Sequence, residues 1–339
     1  MRLRSVISLF VIILSACGTD SSPAPTPPVV TTPDGLWTVA GVSGALVRLD
    51  PTQLVDTGKR TPASVLTTPS AGLATVSAVA FADDGTLWVA SQDDSALLGF
   101  FPATLGGSGV RTADVIISSN HGSLSAPAGL AFDRAGQLWV TNSGNGTIVR
   151  FDPAQLVSGA PTPAVTISGL SHPTGVAIDR VGGMWFTDRV ANTVSRFTFG
   201  ELARSGTPQP TVAIRSTGGS LSSPTGVAID SSGALWVANA QTSTLASFGF
   251  DQIRDSGATV PRVLISSNVV GSMVFPEGLA FDSAGSLWVV SIGGELSKFT
   301  IDQLAATGNP VPSVHLRILG RVLFWGVALY PVPTGLPLN

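Results

Sequence analysis

Few side chains in this sequence could do chemistry by themselves. The chain contains three histidines, His121, His172 and His315, a single cysteine, Cys17, and 21 acidic residues. Its sequence holds no nucleophile elbow, metalloprotease helix, phosphate-binding loop or paired set of zinc ligands. Any catalysis would therefore depend on isolated acid, base or ligand side chains, and Glu277 and His172 are the two candidates.

Polar side chains that could bind a ligand recur in short segments between apolar runs. The candidates for ligand binding are Asp93, Asn142, Thr174, Asp188, Thr225, Asn239 and Glu277. They predict a neutral-to-acidic, hydrogen-bonding rim that would suit a sugar, a peptide or a loop of a partner protein. The alternative is structural, because exposed turns are rich in Asn, Asp and Gly. Asn142, Asp188 and Asn239 share one repeat position, which would also suit a structural cap.

Tryptophan recurs at intervals of 46 to 52 residues, which indicates a chain built from similar units. The repeated residues are Trp37, Trp88, Trp139, Trp185, Trp236 and Trp288. From the unit of Trp88 onward an apolar strand begins about 11 residues before the tryptophan, and in the last four units an Asp-x-x-Gly turn follows this strand. The aspartates of these turns, such as Asp133 and Asp230, are predicted to accept backbone N–H groups rather than to act in catalysis.

Two further strands follow each tryptophan strand, for example at 147–151 and 164–167. A short helical turn lies between them, and a glycine such as Gly58 or Gly159 is predicted to end it. Four antiparallel strands per unit, repeated around an axis, predict an all-β, six-bladed β-propeller. The tryptophans are predicted to fill the wedges between adjacent blades.

The ends of the repeat are incomplete in complementary ways. The unit of Trp37 lacks its first strand, and the segment 326–330 resembles a first strand that has no tryptophan strand after it. We therefore predict that 326–330 is the inner strand of the blade whose outer strands begin at Leu36. This pairing would close the ring and remove its open edge.

The N-terminus resembles a bacterial lipoprotein signal. Arg2 and Arg4 precede a short apolar run, and Leu14-Ser-Ala-Cys17 is similar to a lipobox. The alternative is an ordinary secretory signal with an incidental cysteine. The resemblance implies a signal peptide at 1–16, lipidation of Cys17 and a Pro/Ser/Thr-rich tether to residue 33, with the propeller at 34–339. It also implies attachment to a bacterial envelope membrane through lipid alone, the outer membrane if the source is Gram-negative.

Composition limits the partners. Charged residues make up 12% of the chain and the net charge is −3, without a basic cluster. Nucleic-acid binding needs a positive surface, so we expect no nucleic-acid partner. We expect a monomer whose partner is a polar small molecule or another protein.

The segment that begins with Pro173-Thr-Gly-Val-Ala-Ile-Asp and ends at Trp185 resembles the NHL-type repeat of β-propellers. The gluconolactonase and streptogramin B lyase families are similar in their repeats. These resemblances imply a site where the inner strands begin, beside the central channel. In the lactonases a divalent cation lies there, and in the lyases a metal lies close to a His and a Glu.

The equivalent positions in this chain are Ser77, Ala128, Thr174, Thr225, Glu277 and Trp325. Only Glu277 among them is a good ligand for a hard cation, which takes about six oxygens. The first hypothesis is therefore a binding or interaction scaffold without metal or cofactor. The alternative is a metal-dependent lyase or lactone hydrolase that uses Glu277 and His172 at the channel mouth.

Overall fold

A computed structural model describes residues 31–40, 44–69, 75–267, 269, 272–319 and 324–333 of the 339-residue chain. Cys17 and residues 1–30 lie outside the described residues. Apart from short 3-10 helices at Pro51–Leu54, Pro153–Gln155 and Glu201–Ala203, the regular elements are β-strands. No helix in these ranges has the length and apolar content needed to cross a membrane.

The strands follow one another in the order of the repeat. The first nine are β1 (Gly35–Ala40), β2 (Ala45–Leu49), β3 (Gly58–Arg60), β4 (Ser64–Thr67), β5 (Val76–Phe81), β6 (Leu87–Ser91), β7 (Ala96–Phe100), β8 (Gly109–Val110) and β9 (Val115–Ser118). The next nine are β10 (Pro127–Phe132), β11 (Leu138–Asn142), β12 (Thr147–Phe151), β13 (Val165–Ile167), β14 (Pro173–Ile178), β15 (Met184–Asp188), β16 (Thr193–Phe197), β17 (Val212–Arg215) and β18 (Pro224–Ile229). The last nine are β19 (Leu235–Asn239), β20 (Thr244–Phe248), β21 (Gly257–Ala258), β22 (Val263–Ser266), β23 (Pro276–Phe281), β24 (Leu287–Ser291), β25 (Glu295–Phe299), β26 (Val314–Ile318) and β27 (Phe324–Tyr330).

These strands form six sheets, which confirms the predicted six-bladed β-propeller. From the channel outward, the blades are β27-β1-β2-β4, β5-β6-β7-β9, β10-β11-β12-β13, β14-β15-β16-β17, β18-β19-β20-β22 and β23-β24-β25-β26. We number them blades 1 to 6 in this order. All pairings within a blade are antiparallel, as the short links between successive strands require.

The predicted closure of the ring is confirmed. Strand β27 pairs antiparallel with β1, so that Trp37 faces Ala328 and Leu36 faces Leu329. The strand begins at Phe324, two residues before the predicted start. Blade 1 is thus assembled from both ends of the propeller, and β1 is paired on both sides, with β27 and with β2.

The glycines that were predicted to end the helical turns have a different role, so that prediction was wrong. Gly58 lies in β3 and pairs in parallel with Leu316, in the outer strand of the preceding blade. Equivalent bridges are formed by Gly159, Gly206 and Gly308. Each glycine therefore ties its blade to the outer edge of the blade before it.

Each tryptophan packs between two blades, as predicted. Trp185 of blade 4, for example, contacts the cluster that contains Val227, Ile229 and Leu235 of blade 5. The six repeated tryptophans are at most 3% exposed. They fill the wedges between sheets and are not accessible for stacking on a ligand.

In blades 3, 5 and 6 the aspartate of the Asp-x-x-Gly turn connects the tryptophan to the hairpin. The Oδ1 atom of Asp133 accepts the backbone N–H groups of Ala135 and Gln137, at 2.9 and 3.0 Å. Its Oδ2 atom accepts the indole N–H of Trp139 at 3.0 Å. In these three blades the same carboxylate thus shapes the turn and orients the wedge residue.

A β-bulge lies near the start of every inner strand. In blade 3, Pro127 pairs with Asn142 and Gly129 with Thr141, so Ala128 is the extra residue. The register of the other five inner strands shifts at the same point. Bulges change the direction of side chains at the ends of sheets, and here the bulged residue of each blade lines the channel.

The glycine after the bulged residue allows the inner strands to approach closely. A β-carbon on Gly175 would lie 2.3 Å from the carbonyl oxygen of Thr225 in the next blade, and one on Gly226 would lie 2.5 Å from that of Glu277. Blade 2 has Ala78 at this position, and that residue is buried. The glycine of the Pro-x-Gly motif is therefore explained by the close packing of inner strands around the axis.

Candidate binding site at the mouth of the channel

The six bulged residues meet at one cavity of about 80 Å³, at the end of the channel where the inner strands begin. Its lining contains all six predicted channel positions, Ser77, Ala128, Thr174, Thr225, Glu277 and Trp325. The remaining lining residues are Gln92, Ser143, His172, Gly175, Arg189 and Gly226. We call this cavity the mouth cavity. A second cavity of about 130 Å³ continues along the inner strands towards the opposite face.

Three of the channel positions use their hydroxyl groups to join adjacent blades. Ser77 Oγ donates to the carbonyl of Pro127 at 2.5 Å, and Thr225 Oγ1 donates to the carbonyl of Pro276 at 2.7 Å. Thr174 Oγ1 makes the equivalent contact at 3.2 Å. These hydroxyls are engaged within the ring, so their hydrogen atoms are not free for a ligand. The predicted ligand-binding role of Thr174 and Thr225 stays a prediction.

Glu277 stands where the other blades have a small or hydroxyl side chain. The residue is 8% exposed, and its Oε1 atom has no hydrogen-bond partner among the described residues. Burial raises the pKa of the Glu277 carboxyl from 4.5 to about 7, although the positive charge of Arg189 opposes this shift. The carboxyl is thus a buried polar group that lines a cavity. Near neutral pH it can donate a hydrogen bond when it is protonated and accept one when it is ionised.

Arg189 and His172 lie on blade 4 and line the mouth cavity together with Glu277. The backbone N–H of Arg189 donates to the carbonyl of His172 at 3.0 Å, which holds the two loops side by side. The guanidinium Nε donates to Ser223 Oγ at 3.3 Å. The structure therefore brings the two catalytic candidates, Glu277 and His172, to one cavity, which the positively charged side chain of Arg189 also lines.

Asn142, Asp188 and Asn239 are buried and bonded to backbone atoms. Asn239 accepts the N–H of Ser222 at 3.1 Å and donates to the carbonyl of Ser220 at 3.0 Å, and Asn142 makes the same pair of contacts in blade 3. Asp188 Oδ2 accepts the N–H groups of two residues, at 3.0 and 3.1 Å.

These contacts fit the structural alternative, in which one residue per blade forms hydrogen bonds with the backbone of the segment that precedes the inner strand. They occupy the polar atoms that a ligand would need.

Asp93 differs from these residues because it is exposed, and its carboxylate accepts the hydroxyl of Thr75. The mouth cavity does not include Asp93 among its lining residues. Of the predicted rim, the structure thus gathers Thr174, Thr225 and Glu277 around the cavity and leaves Asp93 outside it.

The residues at the mouth do not fit a divalent cation. Such an ion takes about six oxygen ligands, usually with more than one carboxylate. Glu277 is the one carboxylate among the lining residues, and Arg189 places a positive charge beside it. Across the described residues, no group of three or more His, Cys, Asp or Glu side chains is placed to hold a metal.

The sequence places Gln92 and Arg189 in polar loops at this face without assigning them a role, and it does not single out Ser143. The signal for Arg189 was its position directly after Asp188, in the loop that follows the tryptophan strand. Because seven strands, β16 to β22, separate this loop from Glu277 along the chain, only the ring arrangement brings the two residues to one cavity.

Comparison with known proteins identifies the family of this propeller. Residues 74–275, more than half of the chain, match the family described as the SMP-30/Gluconolactonase/LRE-like region. The chain therefore belongs to this family. No curated protein matches it at a significant level.

Solved structures share the fold at low sequence identity. The chain is similar to a streptogramin B lyase, with a TM-score of 0.50 and 15% identity over 69% of this chain and 67% of the other. A catalytically inactive virginiamycin B lyase from Staphylococcus aureus with quinupristin gives a TM-score of 0.54 and 16% identity, over 81% and 83%. A nidogen/laminin complex gives 0.60 and 13%, over 86% and 96%. At these identities the likeness establishes the propeller fold alone.

Proposed function

We propose that this chain is a lipid-anchored, extracytoplasmic propeller that binds a polar ligand or a polar loop of a partner protein at the mouth cavity, without catalysis. The observation that carries the proposal is the buried Oε1 atom of Glu277, which has no hydrogen-bond partner among the described residues. A buried polar group without a partner costs about 1–3 kcal/mol, and a ligand that donates to it would recover much of this cost.

The surroundings of Glu277 indicate what such a ligand would carry. Arg189 supplies a cation, and His172, Gln92 and Ser143 supply further polar groups around the cavity. Trp325, which is half-buried, gives the mouth an aromatic surface. A compound or loop with a hydrogen-bond donor for Glu277 and an acceptor or anionic group for Arg189 would complement this set.

The proposed location is the bacterial envelope, with the propeller facing the periplasm or the exterior. It depends on Cys17 and the lipobox-like segment before it, which lie outside the described residues. Incorporation of radiolabelled palmitate into the full chain, and its loss in Cys17→Ser, tests the anchor. Labelling that persists in Cys17→Ser would refute it.

Native mass spectrometry of the full chain, purified from its own envelope, tests the binding site. We expect a bound species in the parent protein that is lost in both Glu277→Gln and Arg189→Gln. Val190→Ala is the matched control, because Val190 is exposed in the same loop as Arg189 and does not line the cavity. A species that all variants retain would place binding elsewhere.

A second candidate function is a hydrolase or lyase, since the family includes gluconolactonase-like members and Glu277 and His172 share one cavity. A pKa of about 7 suits a carboxyl for proton transfer near neutral pH. Titration with Mn²⁺ distinguishes the metal-dependent form of this candidate. Affinity that Glu277→Ala abolishes would support it, and affinity that survives this substitution would remove the mouth cavity as its metal site.

A further inference from the structure

Apolar side chains are exposed on the face of the propeller opposite the mouth cavity. This face, which we call the hairpin face, carries the turns that join the inner strand to the next strand in blades 2 to 6. Phe199 lies beside the turn glycine Gly182 of blade 4 and is 70% exposed. Phe250 and Ile301 occupy the equivalent positions on blades 5 and 6 and are 59% and 61% exposed. Three successive blades therefore present one large apolar residue each.

Two further residues extend this surface. Val181, in the blade 4 turn itself, is 76% exposed, and Phe101 on blade 2 is 45% exposed. On blade 3 the exposed residue beside the turn is Pro153. Large apolar side chains exposed on one face of several neighbouring blades indicate a site of contact with a protein or a membrane.

The chain enters the propeller at this same face. Thr32 is buried, and its hydroxyl donates to the carbonyl of Gly85, in the turn of blade 2, at 2.6 Å. The side chain of Tyr330, at the end of β27, lies beside the same glycine. The segment that follows Cys17 therefore joins the propeller on the hairpin face and not at the mouth cavity.

We propose that the hairpin face rests on the surface of a lipid bilayer, with Phe199, Phe250 and Ile301 in the headgroup region. This inference depends on the proposed lipid anchor at Cys17. The residues between Cys17 and Thr31 span at most about 50 Å when extended, so the anchor alone would leave the propeller free to turn. A second attachment, in which exposed apolar side chains enter the headgroup region, fixes its orientation, because a domain held at two separate points cannot turn about its tether.

The charges on this face favour a zwitterionic membrane. The guanidinium carbon of Arg254 lies 5.2 Å from the centre of the Phe250 ring, and Arg134 donates to the carbonyl of Arg180 in the neighbouring turn. Acidic residues balance these cations, among them the exposed Asp83 and Asp84 of the blade 2 turn. Attraction to anionic lipid would therefore contribute little, and the apolar contact would dominate.

The orientation has a consequence for the mouth cavity. Because the cavity opens on the face opposite the turns, it would point away from the membrane. Its ligand would then reach it from the aqueous side and not from the bilayer.

The test uses the full lipidated chain in phosphatidylcholine vesicles that contain a nitroxide-labelled lipid. Lipidation blocks Cys17, so a single new cysteine in Phe250→Cys or Ile301→Cys can carry a fluorophore. Val190→Cys is the matched control, since Val190 is 65% exposed in a loop on the opposite face. We expect strong quenching at 250 and 301 and little at 190.

Flotation of the same samples with the vesicles separates the two proposals. If the protein floats but quenching at 250 and 301 equals that at 190, the orientation is wrong while the lipid anchor stands. If it does not float, the anchor is wrong and the orientation falls with it. If 250 and 301 are shielded from the nitroxide because labelled copies associate through them, as energy transfer between two fluorophores would show, the hairpin face is a protein interface and the membrane proposal is overturned.

Discussion

Replacement of Glu277 by glutamine should remove a large part of the pH dependence of stability. Burial raises the pKa of the Glu277 carboxyl in the folded protein to about 7, from 4.5 in its ordinary state. The folded state therefore holds the proton more tightly than the unfolded state, and the resulting stabilisation is present below about pH 4.5. It is lost as the pH rises through about 7, since the folded protein must then bury a charge.

The size of the effect follows from the same two values. A pKa difference of this size corresponds to about 3 kcal/mol between the two ends of the pH range. For a propeller of roughly 300 residues, 1 kcal/mol shifts the melting temperature by about 1.5–2 °C. Glu277→Gln, which keeps the shape of the neutral acid, should match the parent at about pH 4.5 and melt about 5 °C higher at about pH 8.5.

Differential scanning fluorimetry of parent and variant across this range measures the difference directly. Asp302→Asn is the matched control, because Asp302 is an exposed carboxylate on blade 6. Its melting temperature should follow that of the parent at every pH. A Glu277→Gln variant whose difference from the parent stays constant from acid to alkaline pH would refute the argument that Glu277 is a buried, uncompensated carboxyl.

Two further substitutions and one deletion test the fold around the site. Asn239→Ala should lower the free energy of unfolding by about 2–4 kcal/mol, because it removes hydrogen bonds to buried backbone groups; Gln241→Ala, exposed in the same loop, should cost little in the same denaturant titration. Gly175→Ala should reduce the melting temperature sharply, since its methyl group would collide with the facing strand, whereas Gly206→Ala, which has open space around it, should not. Deletion of residues 325–339 should abolish cooperative unfolding measured by circular dichroism, because it removes β27 from blade 1; an unchanged melting temperature would contradict the closure.

Most of the fold was predictable because its signals are local and repeated. The tryptophan interval, the Asp-x-x-Gly turns and the unmatched strand near Trp325 each depend on neighbouring residues, and the ring follows by repetition. The glycines after the short helical turns were misassigned, since Gly58 pairs with Leu316, more than 250 residues away. The residues next to Gly58 in the sequence do not predict a pairing with so distant a strand.

The sequence by itself determined the number of blades, the closure and the six positions that line the channel, because strand period and turn chemistry depend on residue type. Only the tertiary structure decided what those positions do. It engaged the hydroxyls of Ser77, Thr174 and Thr225 between blades. It buried Glu277 with one oxygen that has no hydrogen-bond partner in the described part of the chain, and it placed Arg189 beside this residue. The hydrogen bonding, burial and charge at the mouth cavity depend on side chains from several blades. These side chains are distant in the sequence, and closure of the ring brings them together.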